Sequence, residues 1–203
     1  MKYFSQLPYI NYPQKDGSKV IMKNVMTRTY LINQLTKEPL LFYDYSIKDS
    51  DLPEIIADKY YGAPEQFWLL SLSNQNKLQD LQYDWPLTPQ NFILYLNDKY
   101  GSVSNAVLEI HHYEKKMINE DPSSGETTEF ITIIDQYEYA NTQVGTTTYT
   151  LPDNSQVKQT ISKAEVNAYD YEYNLNESKR DIGIIDKDYV SNIEDQFKTL
   201  YRT

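Results

Sequence analysis

The sequence predicts an α+β protein: a small β-α-α-β module with an extended N-terminal arm, β-hairpin insertions and C-terminal helices. Three observations carry this. Residues 40–47, LLFYDYSI, have the β-branched and aromatic composition of a strand. Residues 51–76, DLPEIIADKYYGAPEQFWLLSLSNQN, read as two short helices divided by a glycine and a proline. Past residue 100, strand-like runs alternate with polar turns until an amphipathic helix closes the chain.

Residues 1–39 carry Pro8, Pro13 and Pro39 and no sustained helical periodicity, so an extended arm with a short strand at Lys19 to Met22 is expected. At Asp51 the pattern changes. Asp51 and Glu54 make a D-x-x-E capping box, and Leu52, Ile55, Ile56 and Tyr60 follow at helical spacing. Gly62 stands where a left-handed cap with positive φ is needed, and Pro64 where a first helical residue tolerates proline. Phe67, Trp68 and Leu70 to Leu72 fill the second helix up to Asn74. Residues 83–89, YDWPLTP, read as extended, and a third helix is expected over Pro89 to Tyr100 on Phe92, Leu94, Tyr95 and Leu96.

Val107 to Tyr113 and Glu129 to Ile134 are strand-like and enclose the turn-rich DPSSG at 121–125, which predicts a hairpin with a long loop. A smaller hairpin is expected over 146–160, turning at Pro152 to Ser155. Ser162 and Glu165 form a second capping-box pattern ahead of Val166, Tyr169 and Tyr173. The last helix is expected from Asp188, with Val190, Ile193, Phe197 and Leu200 on one stripe. The expected division is therefore an arm at 1–39, the module with its following helix at 40–100, a hairpin region at 101–160 and C-terminal helices at 161–203.

Composition narrows the function. A net charge of -10 over 203 residues gives a field that repels phosphate backbones and anionic headgroups, so neither nucleic acid nor a membrane is an expected partner. With no cysteine, thiol nucleophiles, disulfides and thiolate metal sites drop out together. The N-terminus lacks the apolar run of a signal peptide and no window resembles a membrane span, which predicts a soluble protein made in a cytoplasm. Twenty tyrosines stand beside only six glycines. That bias suits surfaces that are wet in one state and buried in another, and it also arises from compositional drift in an AT-rich genome.

Nucleophile elbows, phosphate-binding glycine loops and H-E-x-x-H do not occur. His111 and His112, the only histidines, are adjacent on a predicted strand and should point to opposite faces, as ordinary strand residues. The acids are spread over predicted solvent faces, so no catalytic carboxylate pair is assigned. Trp68 could stack on a sugar or fill the core beside Ile55, Ile56 and Leu70. Trp85, next to Pro86, is expected to be partly exposed and available to a partner. No catalytic, cofactor-binding or metal-ligating residue is nominated.

The order strand, helix, Y-Y-G, helix, Asn, extended W-P resembles a LysM-like module. LPEIIADKYYGAPEQFWLLSLSNQN is similar to the form of it carried by phage tail and baseplate proteins. Residues 176–200, NESKRDIGIIDKDYVSNIEDQFKTL, resemble the end of the baseplate wedge subunit of contractile-tailed phages, the gene product 53 family of T-even-like viruses. The resemblance implies a non-enzymatic structural component of the virion's tail baseplate, made in the host bacterial cytoplasm and joining neighbouring wedge subunits around the central hub. Its partners would be other wedge and inner-ring proteins in multiple copies around the tail axis, with no cofactor. Carried over as structure, Asp51 and Glu54 cap, Ile56 and Tyr60 pack, Gly62 turns, Pro64 restarts, and Phe67, Trp68 and Leu70 build the core. Trp85, Val190, Ile193, Phe197 and Leu200 remain for partners. The alternative is a LysM-type cell-wall glycan-binding module of a lysin or adhesin.

Overall fold

The computed structural model describes residues 3–27, 29–30, 41–152 and 154–200; Leu31 to Leu40 of the expected arm and strand lie outside the described residues. The chain divides into two units, one made of residues 1–89 and 176–203 and the other of residues 90–175.

In the first unit a short helix, α1 (Tyr3–Gln6), leads into β1 (Tyr9–Pro13), which pairs antiparallel with β2 (Lys19–Lys23). The expected strand is present, but the arm is a hairpin. Its turn is built locally: Asp16 accepts from Ser18 N, and Gly17 takes φ 82. Pro13, without an N–H, sits at the strand end, where proline is tolerated.

β3 (Phe42–Ser46) is followed by α2 (Pro53–Tyr61), a 3-10 turn (Pro64–Gln66) and α3 (Trp68–Ser73). Gly62 ends α2 at φ 74 and ψ 17 and donates its N–H to Asp58 O. The partner of β3 is β8 (Asp181–Ile185), antiparallel, with Asp44 opposite Gly183. α8 (Lys187–Leu200) follows. Two apolar clusters flank this pair. Leu41, Trp68, Leu69, Leu72, Ile185 and Val190 form one; Ile47, Ile56, Leu70, Leu78, Ile182 and Ile184 form the other. The DIGII strand supplies side chains to both, as a strand buried on two faces should.

Residues 83–89, expected extended, form no strand. Pro86 has no N–H for a ladder, and Leu87 spends its N–H and C=O on the side-chain amide of Asn176. Asn74 does the same to β8: its Oδ1 accepts from Gly183 N at 2.8 Å and its Nδ2 donates to Gly183 O at 2.8 Å. One asparagine thereby stands in for a third strand.

The second unit holds α4 (Pro89–Tyr100, whose first residue belongs to the first unit), α5 (Val103–Leu108), β4 (Ile110–Glu120), β5 (Thr127–Ile134), α6 (Gln136–Asn141), β6 (Gly145–Thr150), β7 (Gln156–Asn167) and the greater part of α7 (Ala168–Ser178). The two expected hairpins join into one antiparallel sheet of order β5-β4-β7-β6. α5 and α6 were not expected. Nor is there a helix at Ser162: Ser162 and Glu165 lie in β7 opposite Lys116 and Tyr113 of β4. Ladder pairing with β4 overrides the local capping pattern, and α7 starts only after Asn167, whose Oδ1 accepts from Asp170 N.

Each unit encloses a buried carboxylate. Asp51 was expected to cap α2, but Leu52 is the N-cap residue and carries no side-chain cap bond. With Pro53 at the helix start offering no N–H, the Asp51 carboxylate turns inward and accepts from Tyr45 Oη (2.6 Å), Lys48 N (3.0 Å) and Lys59 Nζ (3.1 Å). Glu54 is exposed. In the second unit Glu172 accepts from Tyr95 Oη (3.0 Å), Tyr100 Oη (2.9 Å) and Lys99 Nζ. Burial alone would raise both acids, yet these donors more than offset it and hold both carboxyls below their ordinary values.

Because those folded-state values are depressed, the stabilisation is present at neutral pH and lost as pH falls through them. The urea midpoint should therefore hold steady down to about pH 5 and decline below it, with a shallower decline in Asp51→Asn and Glu172→Gln. Asn74→Ala, which strands the N–H of Gly183 and leaves its C=O to Ser73 Oγ alone, should cost about 2 kcal/mol in urea unfolding. Gly62→Val should cost at least about 1 kcal/mol, since a β-branched residue is strained at this φ. An unchanged midpoint in either variant would refute the corresponding account.

Candidate assembly surfaces

The aromatics of residues 60–68 face inward more than outward. Tyr61 donates to Ile185 O at 3.0 Å, and its burial pushes its hydroxyl pKa far up. Tyr60 meets Tyr61 edge-on at 5.1 Å and packs with Tyr61 against the second cluster. Trp68 is buried in a triad with Tyr3 at 5.3 Å and Phe197 at 5.5 Å, ring to ring, while Tyr3 and Phe197 lie 5.1 Å apart. Phe67 caps α3 half-buried, Ile56 and Leu70 are fully buried, and Pro64 opens the 3-10 turn. Of the two uses open to Trp68 in the sequence, the structure shows core, but with Leu41, Leu69 and Leu72 and not with the expected neighbours: Ile56 and Leu70 lie in the other cluster and Ile55 is exposed.

The residues nominated for partners divide. Val190 and Phe197 are buried, and Ile193 packs against the same cluster as Val190; only Leu200, 60% exposed, still faces solvent. The stripe on α8 is thus mostly consumed by the chain itself, because the helix lies across Leu41, Trp68 and Ile185, which would otherwise be open. A cleft of about 290 Å³ remains beside it, lined by Tyr30, Leu72, Ile193, Phe197 and Leu200 among others. Trp85, expected to be available to a partner, is partly buried against Leu78 and its neighbours, and its Nε1 donates to Asp51 O at 3.1 Å.

In the second unit the histidines depart from expectation. A register shift between Ile110 and His112 breaks the alternation of the strand, so both rings come to one side with their Nδ1 atoms 2.8 Å apart. His111 stacks on Tyr171 at 3.7 Å, and His112 Nε2 lies 3.1 Å from Glu114. Among the described residues no group of three or more His, Cys, Asp or Glu side chains could hold a metal ion.

The sheet is open to solvent along most of its length. β6 is exposed throughout, and β5 is exposed except at Ile134. α6 covers one patch, where Lys163 donates to Tyr139 O at 2.6 Å and Tyr113 meets Tyr139 at 4.6 Å. Sequence reasoning placed strands here but began the first too early, since Val107 and Leu108 belong to α5 and β4 starts at Ile110, and it assigned their surface no role. The signal was FITII at 130–134, too apolar for a strand half in water.

What these surfaces offer is contact area: the exposed apolar strand β5, tyrosines with a wet tip and the cleft beside α8. Among the described residues no helix is long and apolar enough to cross a membrane. No curated protein matches the sequence. The family model described as base plate wedge protein 53 matches residues 2–200, spanning both units. The chain belongs to the base plate wedge protein 53 family, a structural component of the phage tail baseplate that associates with other baseplate proteins.

Proposed function

We propose that this protein joins neighbouring wedge subunits around the central hub of the baseplate, without catalysing a reaction. The observation that carries the reading is the family match over residues 2–200. The exposed apolar run of β5, Phe130, Ile131 and Ile133, supports it, as surface that a neighbour would cover. β3, α2, α3 and β8 follow one another as strand, helix, helix, strand. This order supports reading the first unit as a LysM-like module whose closing strand comes after residues 90–175 instead of directly after α3. Glycan binding, the other use of such a module, gains no support from Trp68, whose ring is covered.

The test is complementation of a phage lacking the gene, with mass spectrometry of purified particles. Wild-type chain should restore infectivity and be found in the tails; complete baseplates formed without it would refute the reading. Leu200→Asp, on the exposed end of the α8 stripe, should leave the thermal midpoint unchanged and lower incorporation. Phe197→Ala should instead destabilise the isolated chain by about 3 kcal/mol, because it empties the triad with Tyr3 and Trp68. Neither wild type nor Trp68→Ala should sediment with insoluble peptidoglycan. Saturable binding lost on that substitution would favour the glycan reading.

A further inference from the structure

β5 forms one border of its sheet: β4 pairs along one side and, among the described residues, no strand pairs along the other. The register with β4 puts Phe130, Thr132 and Ile134 on one face and Ile131 and Ile133 on the other. A strand with one face in water alternates apolar with polar residues, whereas a run apolar on both sides marks a strand covered on both faces. Here Phe130 is 48% exposed, Ile131 55% and Ile133 68%. The usual protections of a free edge are missing as well. The strand has no proline and no lysine, its pairing with β4 runs without a register shift from Ile134 to Thr127, and its one charge, Glu129, is tied to Lys116 at 2.7 Å.

Charge indicates what would cover it. From Met117 to Val157 the sequence has no Lys or Arg, while Asp121 and Glu126 precede β5 and Asp135 and Glu138 follow it. The nearest bases, Lys115 and Lys116 on β4, are already paired with Glu138 and Glu129. Two copies of this chain joined edge to edge would set these acids against one another. A different chain with basic residues at the ends of an apolar extended segment would be complementary.

We propose that β5 receives such a segment from a neighbouring baseplate protein by strand addition: β-branched side chains cover both faces of the new edge, and Lys or Arg at its ends meet the acids flanking β5. This rests on the baseplate reading above and names the chemistry of one contact within it.

The test uses the purified full chain and two nine-residue peptides, Lys-Lys-Val-Thr-Val-Thr-Val-Lys-Lys and its twin with Glu in place of each Lys, followed by amide hydrogen exchange. The lysine peptide should slow exchange across Thr127 to Ile134 by about tenfold or more, the glutamate peptide should not, and Ile131→Lys with Ile133→Lys should abolish the effect. Both replaced side chains are exposed, so circular dichroism and the thermal midpoint should stay as in wild type. Protection by neither peptide, equal protection by both, or a homodimer that protects the same residues would each overturn the proposal. In complementation the double variant should enter particles about tenfold less than wild type. Wild type missing from particles would refute the baseplate reading. Wild type and double variant incorporated equally would refute strand addition alone.

Discussion

The pairing of β3 with β8 is the constraint on which the first unit depends. It joins Phe42 to Ile185 and Ser46 to Asp181, and so brings together stretches separated by the whole of the second unit. Both apolar clusters draw on β8, so without that pairing neither is complete. A two-stranded ribbon is marginal by itself. Here it is reinforced on the far side of β8 by Asn74, and Ser73 Oγ adds a 2.6 Å bond to the same Gly183 oxygen. At the other end the Ile47 N–H donates to Arg180 O, the Arg180 guanidinium donates back to Ile47 O, and the same guanidinium pairs with Asp49 and Glu177.

The two buried carboxylates show a common solution. Asp51 accepts from one tyrosine hydroxyl and Glu172 from two, and each also accepts from one lysine whose charged end remains partly in solvent. Hydroxyls and an ammonium satisfy the oxygens without placing a second full charge in the interior, which keeps the desolvation cost bearable. Much of the unusual tyrosine content is spent in this way or in ring packing such as Phe92 with Tyr169 and Tyr173. Others among the described tyrosines, such as Tyr9, Tyr83 and Tyr137, are exposed.

The units bury their surfaces differently. The first has two clusters on either side of its strand pair; the second spreads a sheet whose outer strands are mostly in solvent. A protein whose function is to be one piece of a larger assembly can leave apolar surface uncovered until the neighbour arrives, and membership of a baseplate family is consistent with that arrangement.

Local chemistry was legible in the sequence. Gly62 adopts the positive φ that its place between a helix and Pro64 required, the strand at 42–46 and the helices at 89–100 and 187–200 lie where composition and periodicity put them, and the two separated family-like stretches belong to a family that spans nearly the whole chain. What the tertiary structure decided was partnership. Asp51 left the helix cap for Tyr45 and Lys59, the Ser162 pattern was drawn into β7 by pairing with β4, the histidines converged through a bulge, and the stripe of α8 was used inside the molecule. Propensity, capping and turn chemistry act over a few neighbouring residues and can be read along a chain. Strand pairing and burial join residues more than a hundred positions apart, and the sequence contains both halves of such a contact without saying which half meets which.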